Sequence, residues 1–207
     1  MNSRFAYISL LSLLLLGVAV SADAGDVILH PNGFGEHSYA AWKGQQGLAD
    51  FNGAKNQSLY FQKMTTTPTF AAGVAVFQGI EGLPVSQLTG LEFWVGTDGH
   101  CGAGAPRFNI RVDLGGGIKQ TFFVGCAAMI PGVMMTAPNG RTFQQRTIAA
   151  PLGMLVGTIT ALSIVFDEGD DVGQGFVHLD NITVQTSPMA VDFPTKTWTS
   201  ASDNGNQ

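Results

Sequence analysis

Charge is scarce in this sequence. Only 12% of its 207 residues are Asp, Glu, Lys or Arg, about half the usual share. Ten basic residues against fifteen acidic ones give a net charge of −5. That balance argues against nucleic acid or anionic lipid as a partner, because both are bound through clustered Lys and Arg. Cysteine occurs twice, at Cys101 and Cys126. The four histidines, His30, His37, His100 and His178, have no metal-ligand spacing. There is no G-x-S-x-G elbow, no H-E-x-x-H and no P-loop, so the common hydrolase, zinc-protease and nucleotide signatures are missing. Glycoside hydrolysis needs two carboxylates about 5–10 Å apart across a cleft. Glu81, Glu92, Asp98, Asp167 and Glu168 can supply carboxylates, but no local pattern selects a pair.

Long apolar runs are also lacking after the first 20 residues. Residues 1–24 read as a secretory signal, with Arg4 in a positive n-region, an apolar stretch from Ile8 to Val20, and Ala22-Asp23-Ala24 as the cleavage site. The apolar stretch is too short for a comfortable membrane span. Cleavage leaves 183 of the 207 residues and, since Arg4 and Asp23 go together, the same charge of −5. The expected location is secreted, extracellular or periplasmic, with no membrane span after cleavage and with a disulfide-permitting environment.

What the chain has in abundance is glycine, 27 residues, about twice the usual share. Tight turns between many short strands use glycine in this way. The clearest strand pair lies between the two cysteines. Phe108, Ile110, Val112 and Leu114 alternate with Arg107, Asn109, Arg111 and Asp113, the period of a strand with one face buried and one wet. Gly115-Gly116-Gly117 supplies the turn, and a second strand runs from Ile118 to Gly125. A three-residue turn sets Ile110 opposite Phe122, Phe108 opposite Val124 and Asp113 beside Lys119. A slip of one residue mixes the faces, which burial penalises. In this register Cys126 faces Pro106, so Gly102-Ala103-Gly104 must curl back for a Cys101–Cys126 disulfide to close. Such a bridge contributes about 3–4 kcal/mol in the chain-entropy model.

Other strands are predicted at Ser58–Met64, Phe70–Ile80, Leu91–Gly96, around Leu162–Phe166, and at Phe176–Val184, where a bulge near Asp180-Asn181 reconciles two parities. Residues 25–57 read as a short first strand at Val27–Leu29, a turn at His30–Gly33 and a long connection. Residues 127–151 read as an irregular loop or one helical turn. Residues 25–186 are expected to form one domain, and 187–207 a flexible polar tail with Phe193 and Trp198 docking back. Seven to nine short strands point to an all-β antiparallel sandwich of jelly-roll type.

Two groups of side chains are candidates for function. Tyr60, Trp94 and Phe123 are aromatic residues at outward strand positions, near Arg107, Asn109 and Arg111. Flat aromatic faces beside planar hydrogen-bonding groups suit sugar rings, and a second layer covering these aromatics is the competing expectation. The acidic run Asp167-Glu168-Gly169-Asp170-Asp171 places several oxygens on a glycine-bent loop, as calcium requires. The alternative is a solvated turn between two strands. His178, on the parity of Phe176, is expected to be a hydrogen-bonded structural residue.

The ending VFDEG…GFVHLDNITV resembles the closing strands of galactose-binding-like jelly rolls, among them many secreted carbohydrate-binding modules. The segment CGAGAPRFNIRV…FFVGC is similar to a pattern in exported bacterial proteins. The first resemblance covers about 20 residues. It implies a non-catalytic sugar-binding domain, often with a structural calcium near the last strand. Asp180 and Asn181 match the Asp-Asn step of that strand, whereas the acidic partner on the first strand is not evident, Asp26 and Glu36 being the candidates. Asp167, Asp170 and Asp180 are thus the expected calcium ligands, and an extracellular glycan or surface polymer the expected partner. The alternatives are a structural protein of an exported matrix or surface assembly, and a polysaccharide hydrolase or lyase.

Overall fold

A computed structural model describes residues 26–50, 55–149, 156–169, 175–190 and 192–204. Residues 1–24, expected to be a secretory signal, and Phe51, Asp170 and Asp171 lie outside the described residues. The strands are β1 (Ile28–Phe34), β2 (Tyr39–Lys43), β3 (Ser58–Lys63), β4 (Ala72–Gln78), β5 (Leu88–Gly96), β6 (Arg107–Asp113), β7 (Lys119–Gly125), β8 (Ile130–Thr136), β9 (Thr142–Ala149), β10 (Thr158–Phe166), β11 (Gly175–Thr186) and β12 (Lys196–Trp198). Among the described residues the only helical elements are three short 3-10 turns.

Two antiparallel sheets form the sandwich. The back sheet runs β1-β4-β10-β6-β7 and the front sheet β2-β3-β11-β5-β9-β8. β11 pairs with β3 along Gly175–Leu179 and with β12 along Ile182–Val184. The chain crosses repeatedly between layers. The late strands β10 and β11 fill the middle of the two sheets, each flanked by strands from the first half of the chain, in a jelly-roll arrangement.

Alternation puts one set of side chains between the layers. Phe77, Phe108, Ile110, Leu162, Ile164 and Phe166 of the back sheet meet Leu59, Phe61, Phe93, Val177 and Leu179 of the front sheet, all fully buried. Phe93 stacks on Phe108 across the gap, with ring centroids 5.4 Å apart. Each such aromatic contributes about 1.5–3 kcal/mol by burial.

The β6–β7 hairpin has the predicted register: Ile110 opposite Phe122, Phe108 opposite Val124, Asp113 opposite Lys119. All three turn glycines have positive φ. The Cys126 N–H donates to the Pro106 carbonyl at 2.9 Å, and Gly102 curls so that its N–H reaches the Ala105 carbonyl at 2.7 Å. Cys101 and Cys126 are bonded, their Cα atoms 5.3 Å apart. The bulge in β11 is also present, as a register shift between Asp180 and Thr183 with Asn181 at φ 43°.

Four expectations are corrected. His30–Gly33 is not a turn but the body of β1, whose full register pairs with β4. Pro31 fits there because β1 is an edge strand and its missing N–H costs no ladder bond. Tyr39–Lys43 is a strand within the expected long connection. Residues 127–151 contain the β8–β9 hairpin. The segment read as a flexible tail supplies β12, while Trp198 docks back as expected, fully buried against Phe77 at 5.2 Å. An indole finding a core slot outweighs the polar composition around it.

Lys63 is fully buried. Its ammonium donates to the carbonyls of Thr67 (2.9 Å), Thr69 (2.8 Å) and Asp167 (2.7 Å), which uses all three of its donors. Burial pulls its pKa below the usual lysine range, against the opposing charges of Asp167 and Glu168. The lysine ties the end of β3 to the loop before β4 and to the end of β10.

Candidate binding face

On the outer side of the front sheet, three neighbouring strands carry a continuous row of rings. Strand pairing sets Tyr39 beside Gln62 and Ala41 beside Tyr60. It then sets Gln62 beside Phe176 and Tyr60 beside His178. Ring centroids are 5.9 Å apart for Tyr39 and Tyr60, 6.2 Å for Tyr60 and Phe176, and 4.8 Å for Tyr60 and His178. Paired residues share a face of the sheet, and the small Ala41 leaves space between the tyrosines. Phe176 is 38% exposed.

Polar groups surround the rings. The Tyr60 hydroxyl donates to Gln62 Oε1 at 3.0 Å. The Lys43 ammonium lies over both tyrosine rings, 5.4 Å from the centroid of Tyr39 and 5.7 Å from that of Tyr60. A cavity of about 380 Å³ opens here, lined by Tyr39, Lys43, Gly44, Gln46, Tyr60 and His178. His178 is held by a 2.8 Å hydrogen bond between Nδ1 and Ser58 Oγ. Its other ring nitrogen has no partner among the described residues. Burial, then the positive charges of Arg141 and Lys43, push its pKa down to about 3. The imidazole is therefore neutral at ordinary pH, and it is only 5% exposed.

Arg141 reaches over from the start of β9. Its Nη2 lies 3.3 Å from Asp98 Oδ2, while its buried Nε and Nη1 have no hydrogen-bond partner among the described residues.

Trp94 lies on the same outer surface, where β5 pairs with β11 and β9, but it is not available to a ligand. Leu48, Ala137 and Phe143 cover it and leave 7% exposed. Its indole N–H donates to Glu92 Oε1 at 3.1 Å, which also accepts from Gln145. The loop carrying Leu48 is fixed by Asp180, whose carboxylate accepts the N–H of Leu48 at 2.6 Å and of Asn181 at 2.7 Å. Burial pushes the Asp180 pKa up to about 7, against those two N–H groups and with help from Asp50 and Asp203.

Arg107, Asn109, Arg111 and Phe123 are elsewhere, on the outer side of the back sheet. The structure therefore does not bring them together with Tyr60. Arg107 is already engaged: it holds Asp167 with two bonds of 2.5 and 2.6 Å, the Gly104 carbonyl at 2.6 Å and Asn109 Oδ1 at 3.0 Å, and lies over the Phe123 ring at 5.6 Å. Phe123 is 64% exposed. A shallow groove of about 590 Å³ runs between this strand and the Phe34–Phe70 pair.

Of the expected calcium ligands, Asp170 lies outside the described residues, and Asp167 and Asp180 stand apart. Asp167 is paired with Arg107, and its carbonyl takes Lys63 at one end of β3. Asp180 belongs to the front sheet, next to Leu179, which pairs with Leu59 at the other end of β3. Among the described residues no group of three or more His, Cys, Asp or Glu side chains could hold a metal ion. The carbonyls of Thr67, Thr69 and Asp167, which offer the oxygen donors a cation takes, are filled by the Lys63 ammonium.

Tyr39, Lys43, Phe176 and His178 escaped the sequence reading as site residues. The shared parity of Phe176 and His178 was the available signal for two of them. Tyr39 and Lys43 flank Ala-Ala-Trp in a short strand with no clean alternation.

The chain is thus a β-sandwich of jelly-roll type with an aromatic outer face on one sheet. The sequence matches no protein-family model and no curated protein. Among the solved structures similar to it are two carbohydrate-binding modules. One is the family 11 carbohydrate-binding module of a cellulosomal cellulase of Clostridium thermocellum, at 14% identity and TM-score 0.37, covering 79% of this chain and 90% of that one. The other is the family 11 module from Clostridium thermocellum in complex with a β-1,3-1,4-mixed-linked tetrasaccharide, at 14% identity and TM-score 0.40, covering 79% and 91%.

Proposed function

We propose that this protein is a secreted, non-catalytic carbohydrate-binding domain whose site is the outer face of the front sheet. The observation that carries this reading is the row Tyr39–Tyr60–Phe176, beside Lys43, Gln62 and His178, at the mouth of an open cavity. Sugar rings have apolar C–H faces and polar edges. Half-exposed aromatic rings next to fixed polar groups match both. The Cys101–Cys126 bond supports an oxidising, exported setting.

The acidic candidates for hydrolysis are committed to other contacts. Asp167 binds Arg107, Glu168 meets His100 at 2.6 Å, Glu92 holds Trp94, Asp98 faces Arg141, and Glu81 accepts the Gly79 N–H at 2.9 Å. None of the five lines the ring-bearing cavity, which favours binding over catalysis.

The test is retention on insoluble polysaccharides and a glycan array. Tyr60→Ala should weaken retention by about tenfold, equivalent to about 1.4 kcal/mol, with the thermal transition little changed. Unchanged retention overturns the assignment of the site.

A second reading is favoured by one feature. β8 is an edge strand with Ile130, Val133, Met134 and Met135 exposed, and no charge occurs from Gln120 to Gly140. Uncharged apolar edges pair with other strands, as a surface-assembly protein requires. That reading predicts concentration-dependent oligomers and no glycan retention.

A further inference from the structure

The front face carries an imbalance of charge that simple stacking on a neutral sugar does not use. Lys43 forms no ion pair among the described residues, and its ammonium rests only on the two tyrosine rings. Arg141, largely buried beside Gly96 and His178, has a single carboxylate contact, the 3.3 Å approach to Asp98. Lys55 is the neighbour of the cavity-lining Gly44, where a Cβ on Gly44 would stand 3.8 Å from that of Lys55. Asp98, beside Gly96 and His178, is taken up by Arg141, and the other acids of this region do not line the cavity. Asp180 is buried under the Leu48 loop, Asp50 accepts the Gln57 N–H, and Asp203 caps the turn at Thr199 and Ser200. His178, the remaining titratable group lining the cavity with the tyrosines and Lys43, is neutral. A protein of net charge −5 thus presents a locally positive pocket at its aromatic face.

We infer that the front-face site takes an acidic glycan, with the anionic substituent of the sugar, a carboxylate or a sulfate, on Lys43 and the sugar ring on Tyr39 and Tyr60. This rests on the carbohydrate-binding role of the same face. The long lysine stem lets the ammonium leave the rings for the anion, while the tyrosines and His178 keep their places in the sheet. An ammonium exchanging a cation–π contact for a charge-assisted hydrogen bond gains the stronger interaction. The field of Arg141 acts in the same direction at short range, where salt screens it least.

The experiment is calorimetric titration of the whole protein with acidic oligosaccharides and with the same oligosaccharides made neutral. Oligogalacturonate and oligomannuronate are compared with their methyl esters, and a sulfated galactan oligomer with its desulfated form. The expected result is about tenfold tighter binding of at least one acid than of its neutral form. That preference should shrink as salt rises, vanish in Lys43→Gln and persist in Lys43→Arg. A carboxylate-only or a sulfate-only preference identifies which anion is read, and either supports the inference. Equal binding of acid and neutral forms, or an acid preference unaltered in Lys43→Gln, overturns it and leaves the carbohydrate role standing. Absence of binding to every acidic and neutral glycan overturns both.

Discussion

The two outer faces of this sandwich carry similar ingredients and use them differently. Each has aromatic rings, basic side chains and amides at alternate strand positions. On the back sheet the arginine nearest the aromatic ring is satisfied, although Phe123 stays 64% exposed and the Arg111 side chain has no partner among the described residues. Arg107 takes Asp167, Gly104 and Asn109 with its donors and covers Phe123 with its plane. On the front sheet, among the described residues, Lys43 has no anion, His178 keeps one ring nitrogen unbonded, and Phe176 is part-exposed. A polar group that has already exchanged water for a protein partner has little left to offer a ligand. Residue type alone does not mark a site, because what counts is which groups remain unpaired.

That contrast can be broken by mutation. The largest expected effect is on stability, at the end of β3 where Lys63 ties the front sheet to the loop before β4 and to the end of β10. Lys63→Met removes three hydrogen bonds and orphans three carbonyls, a loss of about 4 kcal/mol, read as a lower denaturation midpoint. If the loss is below about 1 kcal/mol, the lysine does not fasten these loops as described.

The next effect concerns pH, and follows from His178 and Asp180 on one strand. For His178 the folded value of about 3 lies below the ordinary 6.5. As pH falls from 6.5 towards 3, the unfolded chain takes a proton that the folded one refuses, so stability falls. For Asp180 the folded value of about 7 lies above the ordinary 3.8. As pH rises from 3.8 towards 7, the unfolded chain releases a proton that the folded one keeps, so stability falls again. The two slopes oppose each other, each at most about 1.4 kcal/mol per pH unit. They cancel in the wild-type protein between about pH 4 and 6.5. Asp180→Asn should expose stability that climbs with pH across this window, and His178→Gln stability that declines. Identical slopes in the two variants would contradict these assignments.

A smaller effect is expected from Arg107→Ala. The ion pair is partly exposed, so the loss should be about 1–2 kcal/mol, with glycan retention unchanged. Reduced retention at unchanged stability would move the binding site to the back sheet. Arg111→Ala, at an exposed position with no side-chain partner among the described residues, should stay within about 0.5 kcal/mol.

Much of the sandwich was legible because local pattern and burial agree. The alternation from Arg107 to Leu114 and the three glycines define a hairpin whose register has one solution. The opposed parities of Val177 and Ile182 require the bulge. Other strands carry no such pattern. β8 (IPGVMMT) is exposed along its whole length, so nothing in its composition distinguishes a buried face. β1 contains Pro and Gly, which an edge position tolerates. β12 is three residues long and is recognisable only from the pocket that Trp198 fills.

The candidate site was half legible for a related reason. Parity correctly turns Tyr60, Trp94 and Phe123 away from the core. It does not say that β3 and β5 join one sheet while β6 and β7 join the other, since sheet order is set by long-range pairing. Nor does it show that Leu48 and Phe143 come to cover Trp94.

The most direct test compares the faces in one assay. Wild-type protein, Tyr60→Ala and Phe123→Ala are measured for retention on the same glycan panel, with thermal denaturation of each as control. The proposed front-sheet site predicts retention for wild type and Phe123→Ala, and about a tenfold loss for Tyr60→Ala at a similar transition temperature. Retention that survives in Tyr60→Ala and is lost in Phe123→Ala would contradict the assignment of binding to the front sheet.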